Sequence, residues 1–257
     1  MNKSIIIAEL ERRKNEAKSE SLASRLCVLA EEVVKVAAEH QKRVAQVMPE
    51  FDLHDEKHLA MVLHNMSCLI GEERVKTLSD VELFLLIASA YLHDCGMAPS
   101  EWELRLMQLT EGTDEYTDCE ESIRNDVKAP YSFSTAKSFI EKSKENIYRK
   151  YEGDVQDWLF SENSENEMAE ALSGLLIDYQ TFRNGYAAEL KACSKPAAFK
   201  KMSQGIRIDY IRRRHPQTSA RYIHNASPLF QNIIGEAWTD KLVQDLAVIC
   251  QAHGENL

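Results

Sequence analysis

The sequence predicts an all-α fold, and three observations carry that prediction. Only 9 Gly and 6 Pro interrupt 257 residues, whereas Glu, Lys, Ala and Leu, which favour helices, are plentiful. Apolar residues recur at three- and four-residue spacing along much of the chain, the period of one helix face rather than of a strand. One segment, Val81 to Leu92, is apolar on nearly every side, as a helix surrounded by others must be.

Taken in order, the first helical pattern runs from Ser4 to about Met48. Ile5, Ile6, Ala8 and Leu10 open it, and Leu22, Leu26, Leu29, Val33, Val36 and Ala37 continue it. Pro49 is expected to stop it, because the residue before a proline is driven from the helical region. The next helix, roughly Leu53 to Ile70, should bury Leu59, Val62, Leu63, Met66, Leu69 and Ile70, with His54 and His58 one turn apart on the border of that stripe. Ser79 or Asp80 can cap the apolar helix, and Gly96 is expected to end it.

Residues 101–195 read as helices joined by solvated loops, with acids concentrated in 111–126 and Ser, Glu and Asn in 161–167. Helix returns at Pro196 and is expected to break at His215-Pro216, with Pro216 in the first turn of a new helix. A last helix, from about Trp238 to His253, should place Leu242, Leu246, Ile249 and His253 on one face. The expected organisation is a single domain: N-terminal helices 1–49, a core of 50–99 and 196–257, and an insertion of about 101–195.

Charge and cysteines narrow the function classes. A net charge of −10 argues against a general nucleic-acid coat, whose affinity comes from neutralising phosphates. Nucleic acid stays open only through the basic stretch before His215. The six cysteines include no Cys-x-x-Cys pair, so neither a disulfide framework nor a zinc ribbon is expected. No uncharged apolar run approaches the ~20 residues of a bilayer span, and Met1 to Glu20 lacks the pattern of a signal peptide. The expectation is a cytoplasmic protein with no membrane partner. Phosphate-loop, dinucleotide, nucleophile-elbow and His-Glu-x-x-His motifs are all absent.

Chemistry gathers where the apolar helix ends. Removing the imidazole and carboxylate of His93-Asp94 from water costs several kcal/mol unless partners or a metal satisfy them. Three other segments bring a histidine to a helix border or end, at His58, His215 and His253. Each histidine alone also reads as an ordinary hydrogen-bonded core or edge residue; the joint pattern favours a ligand set.

That pattern resembles the HD superfamily of metal-dependent phosphohydrolases. His58-Leu59-Ala60-Met61-Val62 is similar to the first motif of the family, and Leu92-His93-Asp94-Cys95-Gly96-Met97 to the second. Arg214-His215-Pro216-Gln217-Thr218-Ser219-Ala220 resembles the His-Pro-x-x-Gly/Ser-Ala element of histidine-rich HD domains, including the HD-GYP phosphodiesterases, and His253 resembles their next ligand. Met97 stands where HD-GYP enzymes carry a Lys, and the Gly-Tyr-Pro element is absent, so cyclic-di-GMP is a poor substrate. The family's final Asp has no counterpart before Leu257, from which an N-terminal fragment of a longer protein is expected. A weaker resemblance links the chain to bacterial HD domains fused ahead of Hsp90-like ATPases.

The resemblance implies an HD-domain helical bundle with a helical insertion. It also implies a centre in which His58, His93, Asp94, His215 and His253 hold one or two ions of Mn, Fe, Ni or Zn, with His93 and Asp94 at the reacting position. The two oxygens of Asp94 suit a bridge between two ions. Arg207, Arg212, Arg213 and Arg214 approach His215 in sequence, and Arg212 or Arg213 is expected to hold substrate phosphate through a guanidinium fork. The alternative is a solvated basic face paired with the acidic insertion. His54 reads as a substrate-facing or a capping residue, and His40, His64 and His224 as structural. The implied function is hydrolysis of a nucleotide or other phosphoester. The alternative is a regulatory or nucleotide-sensing module serving a fused or partner domain such as an Hsp90-like ATPase.

Overall fold

A computed structural model describes residues 4–48, 56–100, 103–104, 107–108, 111 and 165–254. Among these the regular elements are all helical, and no helix is long and apolar enough to cross a membrane. The chain divides into two compact units, residues 1–98 with 213–257, and residues 99–212.

The first unit holds α1 (Ile5–Glu16), α2 (Leu22–Gln41), α3 (Val44–Val47), α4 (Glu56–Ile70), α5 (Glu72–Val75) and α6 (Asp80–Leu92), followed by a 3₁₀ turn at Cys95–Met97. Near the C-terminus α10 (Ser227–Ile234) and α11 (Glu236–Ala252) complete it. As its composition requires, α6 is the central helix, packed by α1, α2, α4 and α11. A capping box starts it: Ser79 Oγ accepts from the Glu82 N–H at 3.2 Å, and Glu82 Oε2 accepts from the Ser79 N–H at 2.7 Å. Leu83, Phe84, Ile87 and Ala88 are buried along it, and Phe84 meets Phe230 of α10 edge to face, centroids 6.1 Å apart.

Several expectations need correction. The N-terminal helix is not continuous to Met48. It stops at Ala17, which is extended, and Ser21 Oγ caps a second helix by accepting from Ser24 N–H. The break lets α1 fold back on α2 and α6. Leu69 is 87% exposed while Leu59 and Leu63 are buried, because six residues past Leu63 carries a helix roughly 240° round. Ile249 is likewise exposed. The buried arc of α11 runs through Leu242, Val243, Leu246, Ala247 and Cys250.

Pro216 breaks nothing. It lies inside α9 (Pro196–Asn225), a single 30-residue helix. A proline there forfeits the N–H that would bond the carbonyl of Arg212, but its ring is buried and packs on the turn after α11. A Cβ added to Gly254 would sit 2.2 Å from Pro216 Cγ. Tertiary packing thus overrides the local preference.

In the second unit, α7 (Glu165–Asn184), α8 (Ala187–Ala192) and the first part of α9 are described. The buried carboxylate of Glu111 accepts from Tyr179 Oη at 2.7 Å and pairs with Arg207 Nη1 at 2.6 Å. That pairing engages Arg207 within this unit. Most of the expected insertion, residues 112–164, lies outside the described residues.

Glu9 fastens α1 internally while Arg13 ties it to the start of α6. The nearly buried carboxylate of Glu9 accepts from Arg12 at 2.7 Å and from Arg13 at 2.8 Å, and Arg13 Nη1 also reaches Asp80 at 2.9 Å. Hydrogen bonding from Arg12, above all, outweighs burial and lowers the Glu9 carboxyl from 4.5 to about 2. A depressed carboxyl contributes stability that is present above 4.5 and lost as pH falls toward 2. Because Arg12 is half-exposed, Glu9→Gln should cost only about 1 kcal/mol at neutral pH. Urea melts should show that cost shrinking as pH falls from 4.5 toward 2.

Candidate metal centre

The centre is assembled at one end of α6. His93 caps that helix, its N–H bonded to Ser89 O, and the chain then turns through Asp94, at φ −100 and ψ 8. His58 comes from α4, beside the fully buried Leu59. His215 comes from α9, and His253 caps the C-terminus of α11. All five residues belong to the first unit.

Their arrangement has two sides. Asp94 Oδ2 faces His93 Nε2 at 3.0 Å and His58 Nε2 at 3.5 Å. Asp94 Oδ1 faces His215 Nε2 at 3.3 Å and His253 Nε2 at 3.5 Å, with those two nitrogens 2.8 Å apart. Asp94 and His215 are buried; His58 and His253 are the more open members, with side chains 33% and 27% exposed.

Backbone carbonyls fix two of the ring tautomers. A carbonyl oxygen can only accept, so His93 Nδ1–H donates to Ala90 O at 3.2 Å and His253 Nδ1–H to Cys250 O at 2.5 Å. In the neutral rings Nε2 then carries a lone pair aimed into the cluster, the usual condition of a ligating histidine. Burial works against ionisation of Asp94, but hydrogen bonding from His215, His253, His58 and His93 outweighs it and drives its carboxyl far below the usual range. The same contact with Asp94 raises His253 above its ordinary 6.5.

These donors fit a transition metal. Two atoms bonded to one ion at ~2.1 Å lie roughly 3.0 Å apart at octahedral angles and roughly 3.4 Å at tetrahedral ones. The measured edges, 3.0 and 3.5 Å on one side and 2.8, 3.3 and 3.5 Å on the other, fall around those values. Two trios, His58–His93–Asp94 and Asp94–His215–His253, could each hold an ion.

Sequence reasoning did not find the residues that hold the turn. Gly96 does not terminate α6, which ends earlier; it is needed for close approach. A Cβ there would stand 2.2 Å from His215 O and 2.8 Å from Ser219 N. Ser219 Oγ accepts from Gly96 N–H at 2.8 Å and donates to His93 O at 2.7 Å. His40, expected to be structural, is buried on α2 and donates Nε2–H to Cys95 O at 2.7 Å. The position of Ser219, one helical turn after His215, was the available signal for the first; nothing in local sequence marks the second.

Other histidines lie apart from the cluster. His64 is exposed beside Cys68, 3.6 Å away, and His224 is exposed late in α9. His54 lies outside the described residues. Arg212 and Arg213 are exposed on α9, three and two residues before His215. Residues three apart share a helix face and residues two apart do not.

Comparisons with curated proteins and with solved structures give no match. A model of the HD-CE family matches residues 48–257, a span that includes all five cluster residues and leaves α1, α2 and α3 outside it. With the helical fold and the His/Asp cluster in place, that match over most of the chain means that it belongs to the HD-CE family.

Proposed function

We propose that this protein is a metal-dependent phosphohydrolase that takes one or two divalent transition-metal ions, with His58, His93, Asp94, His215 and His253 as ligands. The observation that supports this most directly is the division of Asp94, one oxygen toward each histidine pair. Imidazole and carboxylate suit Mn, Fe, Ni or Zn. Bound ions would supply Lewis acidity toward a phosphoryl oxygen and would activate water.

The protein's own residues have distinct parts. Ala90 O and Cys250 O hold His93 and His253 in the tautomer that presents Nε2. Asp94, charged and buried, neutralises cationic charge, and the more exposed His58 and His253 mark the side from which a nucleotide or other phosphoester enters. Arg212 or Arg213 holds the substrate phosphate through its guanidinium fork. The free cysteines Cys27, Cys68, Cys95, Cys193 and Cys250 accord with a reducing cytoplasm.

Asp94→Ala is expected to lose bound metal by elemental analysis while keeping the wild-type helical circular dichroism. Wild-type protein should hydrolyse at least one of a panel of deoxynucleoside triphosphates, cyclic dinucleotides, bis-p-nitrophenyl phosphate and single-stranded DNA. Full metal occupancy in the variant would overturn the ligand assignment.

A second reading keeps the metal and drops the turnover. Among the described residues Asp94 is the one carboxylate in the two trios, a sparse supply of charge for stabilising two cations. On that reading the domain senses a nucleotide for a fused or partner protein, an Hsp90-like ATPase domain being the candidate. Metal without turnover, together with a melting temperature raised by nucleotide, would favour it.

A further inference from the structure

The turn that carries His93 and Asp94 is held from two sides by residues outside the two candidate ligand trios. From α9, Ser219 Oγ donates to His93 O and accepts from Gly96 N–H. From α2, His40 Nε2 lies 2.7 Å from Cys95 O, its ring edge-on to Tyr222 at 5.9 Å between centroids. Within the turn, Met97 N–H bonds Asp94 O at 2.9 Å, and Ala98 N–H bonds Cys95 O at 3.3 Å. The carbonyls of residues 93, 94 and 95 thus all have donors. With both neighbouring peptide planes fixed, the backbone torsions of Asp94 are fixed as well, and with them the aim of its two oxygens.

His40 is the unexpected member. It lies before residue 48, where the match to the family model begins, so the family pattern does not include it. It reaches across to the turn, to a main-chain oxygen 55 residues away. An imidazole buried to 6% exposure needs such a partner, and an aliphatic residue would fill the same helix position without the desolvation cost.

We infer that His40 is a positioning residue of the metal centre, acting with Ser219 to set the Asp94 turn, so that α2 is a working part of the site. This rests on the metal-centre reading above. Groups one layer out from a ligand change metal affinity by about 10- to 100-fold when removed, and the same scale is expected here.

The test compares His40→Leu, which removes the donor, with His40→Gln, whose Nε2 reaches a similar point and can still donate. Mn²⁺ affinity is measured by calorimetry, the Mn²⁺ environment by electron paramagnetic resonance, and residues 93–98 of the metal-free protein by hydrogen exchange. His40→Leu should weaken Mn²⁺ at least 10-fold, alter the resonance spectrum and speed exchange in the turn about 10-fold. Exchange elsewhere should stay as in the wild type, and His40→Gln should restore affinity to within about threefold.

Equal impairment of both variants would mean that His40 only fills space, and would overturn the inference. So would unchanged exchange at 93–98 in His40→Leu. If wild-type protein takes up no metal at all, the ligand assignment fails, yet the exchange measurement still decides whether His40 holds the turn.

Discussion

Gly96→Ala is expected to destabilise the protein by about 3 kcal/mol and to abolish metal binding, although it adds one methyl group. Backbone conformation is not the reason, since Gly96 does not occupy the left-handed region. The reason is contact. The new Cβ would meet His215 O at 2.2 Å, Ser219 N at 2.8 Å and Thr218 Cβ at 2.9 Å. Two of these are main-chain atoms of α9, so no rotamer change relieves them, and the turn must move away by roughly 1 Å. That movement separates Asp94 from His215, now 3.3 Å apart, whereas ligand positions tolerate only about ±0.2 Å. In a chain of this size a loss of about 3 kcal/mol lowers the melting temperature by roughly 6–12 °C. Thermal melts with and without Mn²⁺ check both halves. A variant that melts within about 2 °C of wild type and still gains stability from Mn²⁺ would show that the turn and α9 yield more easily than their geometry implies.

The residues that come together in the His/Asp cluster could be picked out in the sequence, each as a histidine or carboxylate at a helix border or end. A His-Asp pair at the end of an apolar helix has few inexpensive explanations, and His58, His215 and His253 each stand next to residues with a clear burial pattern. What holds the cluster was less legible, because it runs through the main chain. His40 and Ser219 bond carbonyls and an N–H of the turn, and a main-chain partner leaves no mark on a pattern of side chains. Gly96 shows the same difficulty: a glycine that ends a helix and a glycine that admits a neighbouring backbone read alike. Pro216 shows the opposite error, in which a strong local signal for a break yields to burial of its ring against the Gly254 turn. At Ala17–Ser21 the signal was present, since a serine ahead of an apolar run is a cap, but continuous periodicity on both sides concealed it.

Replacing Asp94 by Asn should change the metal-free protein in opposite ways at low and high pH. Two shifts set the window. The Asp94 carboxyl is depressed from its ordinary 3.8, so its contribution is present above that value and lost as pH falls below it. His253 is raised from 6.5, so its contribution is present below 6.5 and lost as pH rises through the raised value. Between them the site is a buried carboxylate beside an imidazolium. Asn, having no charge, should cost about 2 kcal/mol there, at about pH 5.5. Once the pH exceeds the raised value of His253 its ring is neutral, and the tautomer fixed by Cys250 O turns its Nε2 lone pair toward the Asp94 oxygens. Acceptor then faces acceptor, and an amide that can donate should be no worse than the carboxylate. Divalent metal reverses the comparison at that higher pH, since it replaces the missing proton for wild type only. Wild type should then gain several degrees in melting temperature and Asp94→Asn none, its affinity reduced about 1,000-fold or more by loss of a charged shared ligand. Melts of EDTA-treated protein at the two pH values, repeated with Mn²⁺ and Zn²⁺, give all the comparisons. An equal stability cost at both pH values would mean that Asp94 is held by structural hydrogen bonds rather than by a need for cations.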